Sequence, residues 1–205
     1  QGSASGSTTG GEPISQMRYI GQMFNLYLLL EGRERLAVVD MHAAHERVVF
    51  YRLKQQFAAG EINSQVLLLP ETMVLAPDQV AHLAVLQPLL CRMGLECESF
   101  GEDCIVVRSV PAVLSGVSPL RLLADIFSLA EGRDWQQHLT KEIDAVLARM
   151  ACHTAVRSGD SLTPQEVYAL LEALEEAEAG AFCPHGRPVA VFVRRGELAQ
   201  MFGRE

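Results

Sequence analysis

The sequence has no apolar stretch near the ~20 consecutive residues that a helix needs to cross a bilayer, so no membrane partner is predicted. Basic residues are also scarce: 17 Lys and Arg against 25 Asp and Glu give a formal net charge of -8. Proteins that hold nucleic acid unaided are usually basic, because Lys and Arg neutralise the phosphates. We therefore expect the chain alone to bind DNA or RNA weakly, and to need a partner that brings it there.

Cysteine is uncommon, with five in 205 residues, and the sequence shows no secretory signal. An odd number of cysteines without such a signal indicates a reducing compartment and free thiols, which predicts a cytoplasmic location. Cys91, Cys97 and Cys104 stand among apolar residues and are predicted to be small core residues. Aromatic residues make up only 6% of the chain, but 49% of it is hydrophobic, enough for a sizeable core.

Short apolar runs and helical patterns both occur, which predicts a mixed α/β (α+β) fold. Residues 17–24, 26–30 and 35–40 are predicted strands, and the turn at 31–34 joins the last two in a hairpin. Residues 26–30 are apolar on both faces, so we expect helices or another subunit to cover both sides of the sheet. The opening residues are rich in Gly, Ser and Thr, and residues 1–15 are interpreted as a tag or flexible linker.

The rest of the chain divides into two predicted parts. Residues 16–70 and 149–205 form a sheet-and-helix part that we expect to dimerise through apolar sheet or helix surface, and residues 71–148 form an inserted smaller subdomain. The remaining elements are predicted helices from about 43 to 58 and over 77–93, 120–130, 143–151, 164–179 and 196–202, and strands over 64–70, 96–100, 104–110 and 189–193. Pro88 is expected to kink or split the second helix.

A polar corner follows the third predicted strand. Asp40 ends the apolar run, and His42 and Glu46 lie at the start of the next helix. If that helix includes His42, then His42 and Glu46, four residues apart, project from one face. Two carboxylates and an imidazole there suit a divalent cation. The alternative is that Asp40 caps the helix while the others are solvated, and these residues alone favour that alternative.

Two further clusters contain metal-binding residue types. The loop CPHGRP at 183–188 offers a thiolate and an imidazole, which zinc prefers, but a simple turn with a buried cysteine is about equally compatible. The sequence ACHTAVR at 151–157, taken alone, is better interpreted as a helix end. A cysteine hydrolase using Cys183 and His185 is disfavoured, because residues two apart on a proline-bound loop rarely meet as nucleophile and base.

Together, the clusters resemble the C-terminal domain of MutL, the DNA mismatch repair family, in its endonuclease-bearing form. The family's DQHA-x-x-E motif appears as DMHAAHE at 40–46, its ACK-x-A-I-R motif as ACHTAVR, its CPHGRP motif is intact, and its C-terminal Phe-x-Arg appears as FGR at 202–204. The resemblance extends from about Gln16 to Arg204. It implies a fold that dimerises, an inserted regulatory subdomain, and a metal-dependent site that nicks one DNA strand.

The resemblance also implies a set of site residues. The catalytic and metal-ligating candidates are Asp40, His42 and Glu46; the further metal ligands are Cys152, Cys183 and His185; the supporting residues are Arg157, Arg187, Phe202 and Arg204. Zinc is expected in a structural or regulatory role and manganese or magnesium in catalysis, where two ions would stabilise the attacking and leaving oxygens of a phosphodiester. No nucleotide site is recognisable here, and the family's ATPase is expected in an N-terminal region outside this sequence.

The segment QVLLLP at 65–70 resembles the Gln-x-aliphatic-Leu-x-Pro peptide by which family members bind the replication processivity clamp. Gln65, Leu67, Leu68 and Pro70 are then the clamp-binding residues. Without the family, the segment is simply a strand that ends at a proline. The expected partners are thus a second copy of the chain, the sliding clamp, DNA, and a mismatch-recognition protein acting through the full-length protein, at the nucleoid of the cytoplasm.

Three positions depart from the family pattern: Met41 replaces a glutamine, Tyr51 a second glutamate and His153 a lysine. None is a predicted ligand, but each could lower the activity or change the metal preference, and the isolated domain is expected to nick weakly. The alternative function is a non-catalytic module, in which the same residues hold one structural zinc and the domain serves dimerisation and partner docking.

Overall fold

The computed structural model describes residues 12–130, 139–154, 161–177, 183–184 and 186–204. The strands are β1 (Arg18–Met23), β2 (Tyr27–Glu31), β3 (Arg35–Asp40), β4 (Ser64–Val74), β5 (Cys97–Ser99), β6 (Cys104–Pro111) and β7 (Ala190–Arg194). The helices are α1 (Met41–Ala59), α2 (Pro77–Arg92), α3 (Pro119–Ala130), α4 (Leu139–Thr154), α5 (Pro164–Glu176) and α6 (Arg195–Met201). The predicted α+β class is confirmed, with two antiparallel sheets.

The described residues form two compact units. The first takes its residues from 1–48 and 155–205, and the second from 49–154. These limits differ from the sequence-based division at 70/71 and 148/149. Residues 49–70 go with the second unit because β4 pairs with β6, and because Val49 and Leu53 of α1 pack in the second core. Residues 149–154 belong to the same unit, since α4 continues to Thr154.

The first unit contains a four-stranded sheet in the order β1-β2-β3-β7. The predicted hairpin between β2 and β3 is confirmed, and the Gly32 amide donates to the Arg35 carbonyl at 2.9 Å in its turn. One sheet face is apolar and buried, and it packs with residues of α1 and α5. This core includes Leu28, Leu30, Ala37, Val39, Ala43, Ala44, Val48, Val167, Leu171 and Leu174.

The opposite face of this sheet is also apolar. Cross-strand pairing places Leu29 beside Val38 and Val38 beside Val191, with Leu36 and Val193 paired next to them. Val191 is 54% exposed and the other four are half-buried. Within the described part of the first unit, helices cover one face of this sheet, and the expectation that another subunit covers the second face stays a prediction.

The second unit packs the sheet β4-β6-β5 with α2, α3, α4 and the C-terminal half of α1. Pro88 does not split α2, which continues from Pro77 to Arg92. A proline inside a helix removes one backbone hydrogen bond, and the apolar side of α2, with Leu83, Leu86 and Leu90 buried in the core, offsets that cost. No helix in the described ranges is long and apolar enough to cross a membrane.

The predicted capping box at the start of α5 is confirmed. The Glu166 amide donates to the Thr163 hydroxyl at 3.3 Å, and the Thr163 amide donates to a Glu166 carboxylate oxygen at 2.8 Å. The hydrogen bonds from Thr163 stabilise the ionised carboxylate and so lower the pKa of Glu166. This reciprocal pair fixes where the helix begins, because it satisfies two backbone amides that would otherwise lack partners.

Cys91, Cys97 and Cys104 were all predicted to be core residues. The prediction is wrong for Cys91, which is exposed on α2. Cys104 is half-buried. Apolar neighbours in the sequence do not decide which side of a helix a residue occupies. Cys97 is buried as predicted. Burial, and secondarily the nearby Cys91, raises the pKa of the Cys97 thiol to about 11.

We expect N-ethylmaleimide to modify Cys91 well before Cys97 in the native chain. The raised pKa leaves Cys97 about 100-fold less thiolate near pH 8 than an ordinary thiol, and only the thiolate reacts quickly. Mass spectrometry of the modified peptides measures both rates. Cys97 labelling should accelerate in denaturant, and in the native chain as the pH rises towards 11. Equal labelling of the two thiols at pH 8 would contradict the burial of Cys97.

Candidate metal centre

The polar corner forms where β3 passes directly into α1. Asp40 ends the strand, and its carboxylate oxygen Oδ1 accepts a hydrogen bond from the Ala43 amide at 3.0 Å. Asp40 therefore caps the helix, which is the role that the sequence left as an alternative to metal binding. The two roles are compatible, because a carboxylate has two oxygens and about four acceptor positions.

His42 and Glu46 lie on one face of α1. The helix begins at Met41, slightly earlier than the predicted start near Ala43, and so includes His42. The His42 Nε2 atom lies 3.4 Å from the Glu46 oxygen Oε1, and the side chains are 38% and 3% exposed respectively. An imidazole and a carboxylate one helical turn apart are thus held together, with the imidazole reaching towards solvent and the carboxylate covered by protein.

Glu46 is the only charged residue that is buried among the described residues, at 2% exposure. Burying an ionised carboxylate is costly unless cations or hydrogen-bond donors compensate its charge. The neighbouring His42 is one such partner. Glu46 thus lies in the covered part of α1, close along the helix to the core residues Ala43, Ala44 and Val48.

The loop before β7 lies at the same end of the sheet as Asp40. The Asp40 amide donates to the Val189 carbonyl at 2.9 Å, which joins the last residue of β3 to the segment that follows the loop. Within the loop, the Cys183 amide donates to the Arg187 carbonyl at 2.8 Å and the Gly186 amide donates to the Cys183 carbonyl at 2.9 Å. Gly186 has a φ of +78°, which a glycine adopts without strain.

Cys183 is buried at 4% exposure in the core that also contains Met41, Ala43 and Val189. The tertiary fold therefore brings the CPHGRP loop to the polar corner, although about 140 residues of chain separate them. The remaining predicted ligand of the loop, His185, lies outside the described residues.

The donors in the described part of the first unit fit a divalent cation in their chemistry. Asp40, His42 and Glu46 supply oxygen and nitrogen, and Cys183 supplies a thiol. Over the described ranges, however, no group of three or more His, Cys, Asp and Glu residues is assembled as a metal site. The described residues thus provide a partial donor set at one corner, in which Glu46 and His42 are already adjacent.

The other predicted site residues are distributed over both units. Cys152 is half-buried on α4 of the second unit, and Arg157 lies outside the described residues. Arg187, Phe202 and Arg204 are exposed in the first unit. Metal binding by Cys152 and the supporting role of Arg157, Arg187, Phe202 and Arg204 stay predictions.

Two of the three departures from the family motifs occupy well-defined environments. Met41 is 2% exposed and lies in the apolar core, so a methionine suits this position better than an amide side chain would. The His153 Nε2 atom lies 2.8 Å from the Asp125 oxygen Oδ2, so His153 contacts a carboxylate on α3. This contact within the second unit was not predicted from the sequence, because the two residues are distant along the chain.

The segment 65–70 forms an irregular part of β4. Gln65 and Val66 pair with Val110 and Ser109, and regular pairing resumes at Glu71 with Val107. Residues 67–70 therefore stand opposite a single residue of β6 and bulge from the ladder. Leu67 packs partly against the core, whereas Leu68 and Leu69 are 97% and 78% exposed.

The turn between β1 and β2 was missed by sequence reasoning, which extended the strand through Phe24. The strand ends at Met23, and both Phe24 and Asn25 have a φ of +54°. The Leu26 amide donates to the Met23 carbonyl at 3.0 Å, closing a tight turn. Asn25 was the available signal, because asparagine adopts positive φ more readily than other non-glycine residues.

Comparison with known proteins gives consistent matches. Residues 20–162 match the family described as the MutL C terminal dimerisation domain. The DNA mismatch repair protein MutL of Geobacter sulfurreducens is 37% identical over 194 residues, which cover 95% of this chain and 32% of that protein. The MutL protein of Acidiphilium cryptum is 40% identical, over 90% of this chain and 32% of that protein. The MutL protein of Rhodospirillum rubrum is 39% identical, over 96% of this chain and 31% of that protein. The chain thus spans about a third of the length of these relatives.

Proposed function

Because the chain belongs to the family of MutL C-terminal dimerisation domains, we propose that it is the part of a DNA mismatch repair protein that forms a homodimer and carries a metal-dependent endonuclease site. The relatives named above are DNA mismatch repair proteins. The proposed reaction is hydrolysis of one phosphodiester bond in duplex DNA, which leaves a nick.

The observation that carries the endonuclease proposal is the burial of Glu46 beside His42 at the end of β3. The Glu46 side chain is 3% exposed and its Oε1 atom lies 3.4 Å from the His42 Nε2 atom, while Asp40 occupies the first position before the helix. A buried carboxylate next to a half-exposed imidazole suits the binding of a cation that must also contact a substrate. A purely solvated helix start would not need a buried charge at this position.

The candidate ligands are Asp40, His42, Glu46, Cys183 and, outside the described residues, His185. When bound there, manganese or magnesium would polarise the phosphodiester and lower the pKa of the attacking water. Glu46 keeps His42 oriented through their contact, and the capping bond to Ala43 fixes the Asp40 carboxylate at the start of the helix. Zinc bound with the Cys183 thiolate would serve a structural or regulatory role, for which sulfur ligands are suited.

Nicking of supercoiled plasmid tests the endonuclease proposal. The chain should convert supercoiled plasmid to the open circular form in the presence of manganese, and a chelator should stop the conversion. Metal analysis of the purified chain should find zinc in roughly stoichiometric amount. No nicking with manganese and a sliding clamp present would contradict the endonuclease proposal and favour the non-catalytic alternative, in which Asp40 serves only as the helix cap.

The outer face of the first sheet is the proposed dimer surface. Leu29, Leu36, Val38 and Val193 surround Val191, and Val191 is 54% exposed on a sheet whose other face packs against the first core. An antiparallel sheet with apolar residues on both faces is stable in water when a second layer covers the open face. A second copy of the chain supplies the same apolar face, as a two-fold symmetric interface requires.

We expect Val191→Glu to convert the dimer to a monomer. The substitution places a charge in the middle of the proposed interface, where the partner would bury it. Light scattering should then give about the chain mass of 22.5 kDa rather than twice that value. Val85→Glu is the matched control, because Val85 is 51% exposed on α2 of the second unit. A dimer that survives Val191→Glu, or that Val85→Glu disrupts equally, would contradict the assignment of this face.

The bulge at 67–70 is the proposed binding site for the processivity clamp. Gln65, Leu68 and Pro70 are exposed, and Leu67 is partly buried against the second core. An extended segment that leaves the ladder can enter a groove on a partner, since its side chains are not committed to the sheet. The net charge of -8 opposes direct binding of the chain to DNA. Binding to the clamp would keep the chain on DNA.

A further inference from the structure

We propose that Phe24, at the tip of the β1–β2 hairpin, stacks on a base of the DNA strand that is held at the polar corner. This inference rests on the proposed endonuclease function and names a residue that positions the substrate. Phe24 is 83% exposed, the most exposed aromatic side chain in the described part of the chain. Full exposure of a phenyl ring to water is unfavourable, and an aromatic ring at a functional edge provides a flat surface for stacking.

The backbone conformation at the hairpin tip indicates that the turn itself does not require a phenylalanine at position 24. Phe24 and Asn25 both have a φ of +54°, the signature of a type I′ turn, and such turns favour Asn, Asp and Gly. A bulky side chain with positive φ is an outlier, and such outliers occur preferentially at functional sites. Asn25 suits its position, whereas a glycine or asparagine would suit position 24 better than phenylalanine.

The hairpin tip is attached to the polar corner by backbone hydrogen bonds. Tyr27 pairs with Asp40 across β2 and β3, and the Met41 amide donates to the Leu26 carbonyl at 3.0 Å. Phe24 is only two residues from Leu26, so at most about 7 Å of chain separates it from the residue that bonds to the first residue of α1. The tight turn limits its freedom, which reduces the entropy lost when the ring contacts a ligand.

The charge of the chain favours stacking over a phosphate contact as the mode of DNA binding. Basic side chains provide most of the affinity of typical DNA-binding proteins, and this chain carries a net charge of -8. Base–aromatic stacking needs no positive charge and tolerates any base. On duplex DNA it requires a partly unstacked base step, into which an apolar side chain inserts. A base stacked on Phe24 would add to the affinity for DNA beside Asp40 and Glu46.

The kinetic test compares Phe24→Ala, Phe24→Gly and Phe24→Tyr in manganese-dependent plasmid nicking. We expect Ala and Gly to raise the KM for DNA about 10-fold with little change in kcat, because one stacking contact is lost. Phe24→Tyr should restore the parent value. Gly relieves the strained φ, so a purely structural role would make Phe24→Gly the best-tolerated variant, and that result would overturn the inference. Phe100→Ala is the matched control, since Phe100 is 66% exposed beside the β5–β6 turn.

A spectroscopic test does not depend on nicking. Phe24→Trp, in a chain whose single tryptophan is removed by Trp135→Phe, should lose fluorescence on titration with a short oligonucleotide, because stacked bases quench indole emission. Phe100→Trp in the same background should not. Equal quenching of both tryptophan variants, or of neither, would overturn the inference.

If the parent chain does not nick, the endonuclease proposal fails, while the quenching still decides whether Phe24 stacks on DNA. Conversion of the Phe24→Ala chain to a monomer would instead assign Phe24 to the dimer interface and overturn the proposal.

Discussion

Replacing Asp40 by asparagine is expected to reduce manganese-dependent nicking by at least about 100-fold while the chain stays folded. Losing a metal-ligating carboxylate removes more activity than the 10- to 100-fold typical of residues that merely orient ligands. The structure makes asparagine the informative substitution, because the Asp40 carboxylate also accepts a hydrogen bond from the Ala43 amide. Asparagine caps helices about as well as aspartate, so Asp40→Asn removes the charge and keeps the cap.

Two comparisons separate the ligand role from the capping role. Asp40→Ala removes both functions and should additionally destabilise the chain by about 1 kcal/mol, whereas Asp40→Asn should change the free energy of unfolding by less than about 0.5 kcal/mol. Asp144→Asn is the matched control, because Asp144 is partly exposed and pairs with Lys54 at 2.9 Å on the second unit. Nicking by Asp40→Asn at the parent rate would show that the activity does not depend on this carboxylate, and it would contradict the proposed role of Asp40 as a metal ligand.

Replacing Leu68 by alanine is expected to weaken binding to a bacterial sliding clamp by roughly 10- to 100-fold. Anchor residues that fill a partner's pocket commonly contribute this much to affinity. Leu68 is 97% exposed, so the substitution removes no internal packing and should leave the unfolding transition unchanged. Surface plasmon resonance with the immobilised clamp measures the affinity, and Gln65→Ala should give a loss of similar size.

Leu69 provides the matched control for the clamp experiment. It is the next residue, it is the same amino acid, and it is 78% exposed, but it occupies a position that the clamp-binding pattern leaves variable. Leu69→Ala should therefore bind within about twofold of the parent. Equal losses for Leu68→Ala and Leu69→Ala would indicate non-specific apolar contact, and undiminished binding by Leu68→Ala would contradict the proposed clamp site. Metal content should be the same in all three variants.

The sequence predicted most helices and strands to within a few residues. Period-two and period-3.6 apolar patterns are local, as are caps such as Thr163 with Glu166, so a short window of sequence contains the information. The same locality explains the errors. The neighbours of Cys91 are apolar, but its position on the outer side of α2 depends on what α2 packs against. Residues 49–70 group with the second unit, a limit that differs from the sequence-based division, because β4 pairs with β6 across about 40 residues.

The sequence by itself determined the chemistry of the candidate centre: the carboxylates, the imidazole, the thiol, their order, and the family that they resemble. That His42 and Glu46 share a face was decided by the structure, because α1 begins at Met41, earlier than the predicted start near Ala43. Only the tertiary structure decided that Glu46 is buried, that Asp40 caps α1, and that the loop at 183–188 reaches Asp40 through the pairing of β3 with β7. These outcomes depend on hydrogen bonds and apolar contacts between distant segments, and no local pattern of residues specifies which distant segments meet.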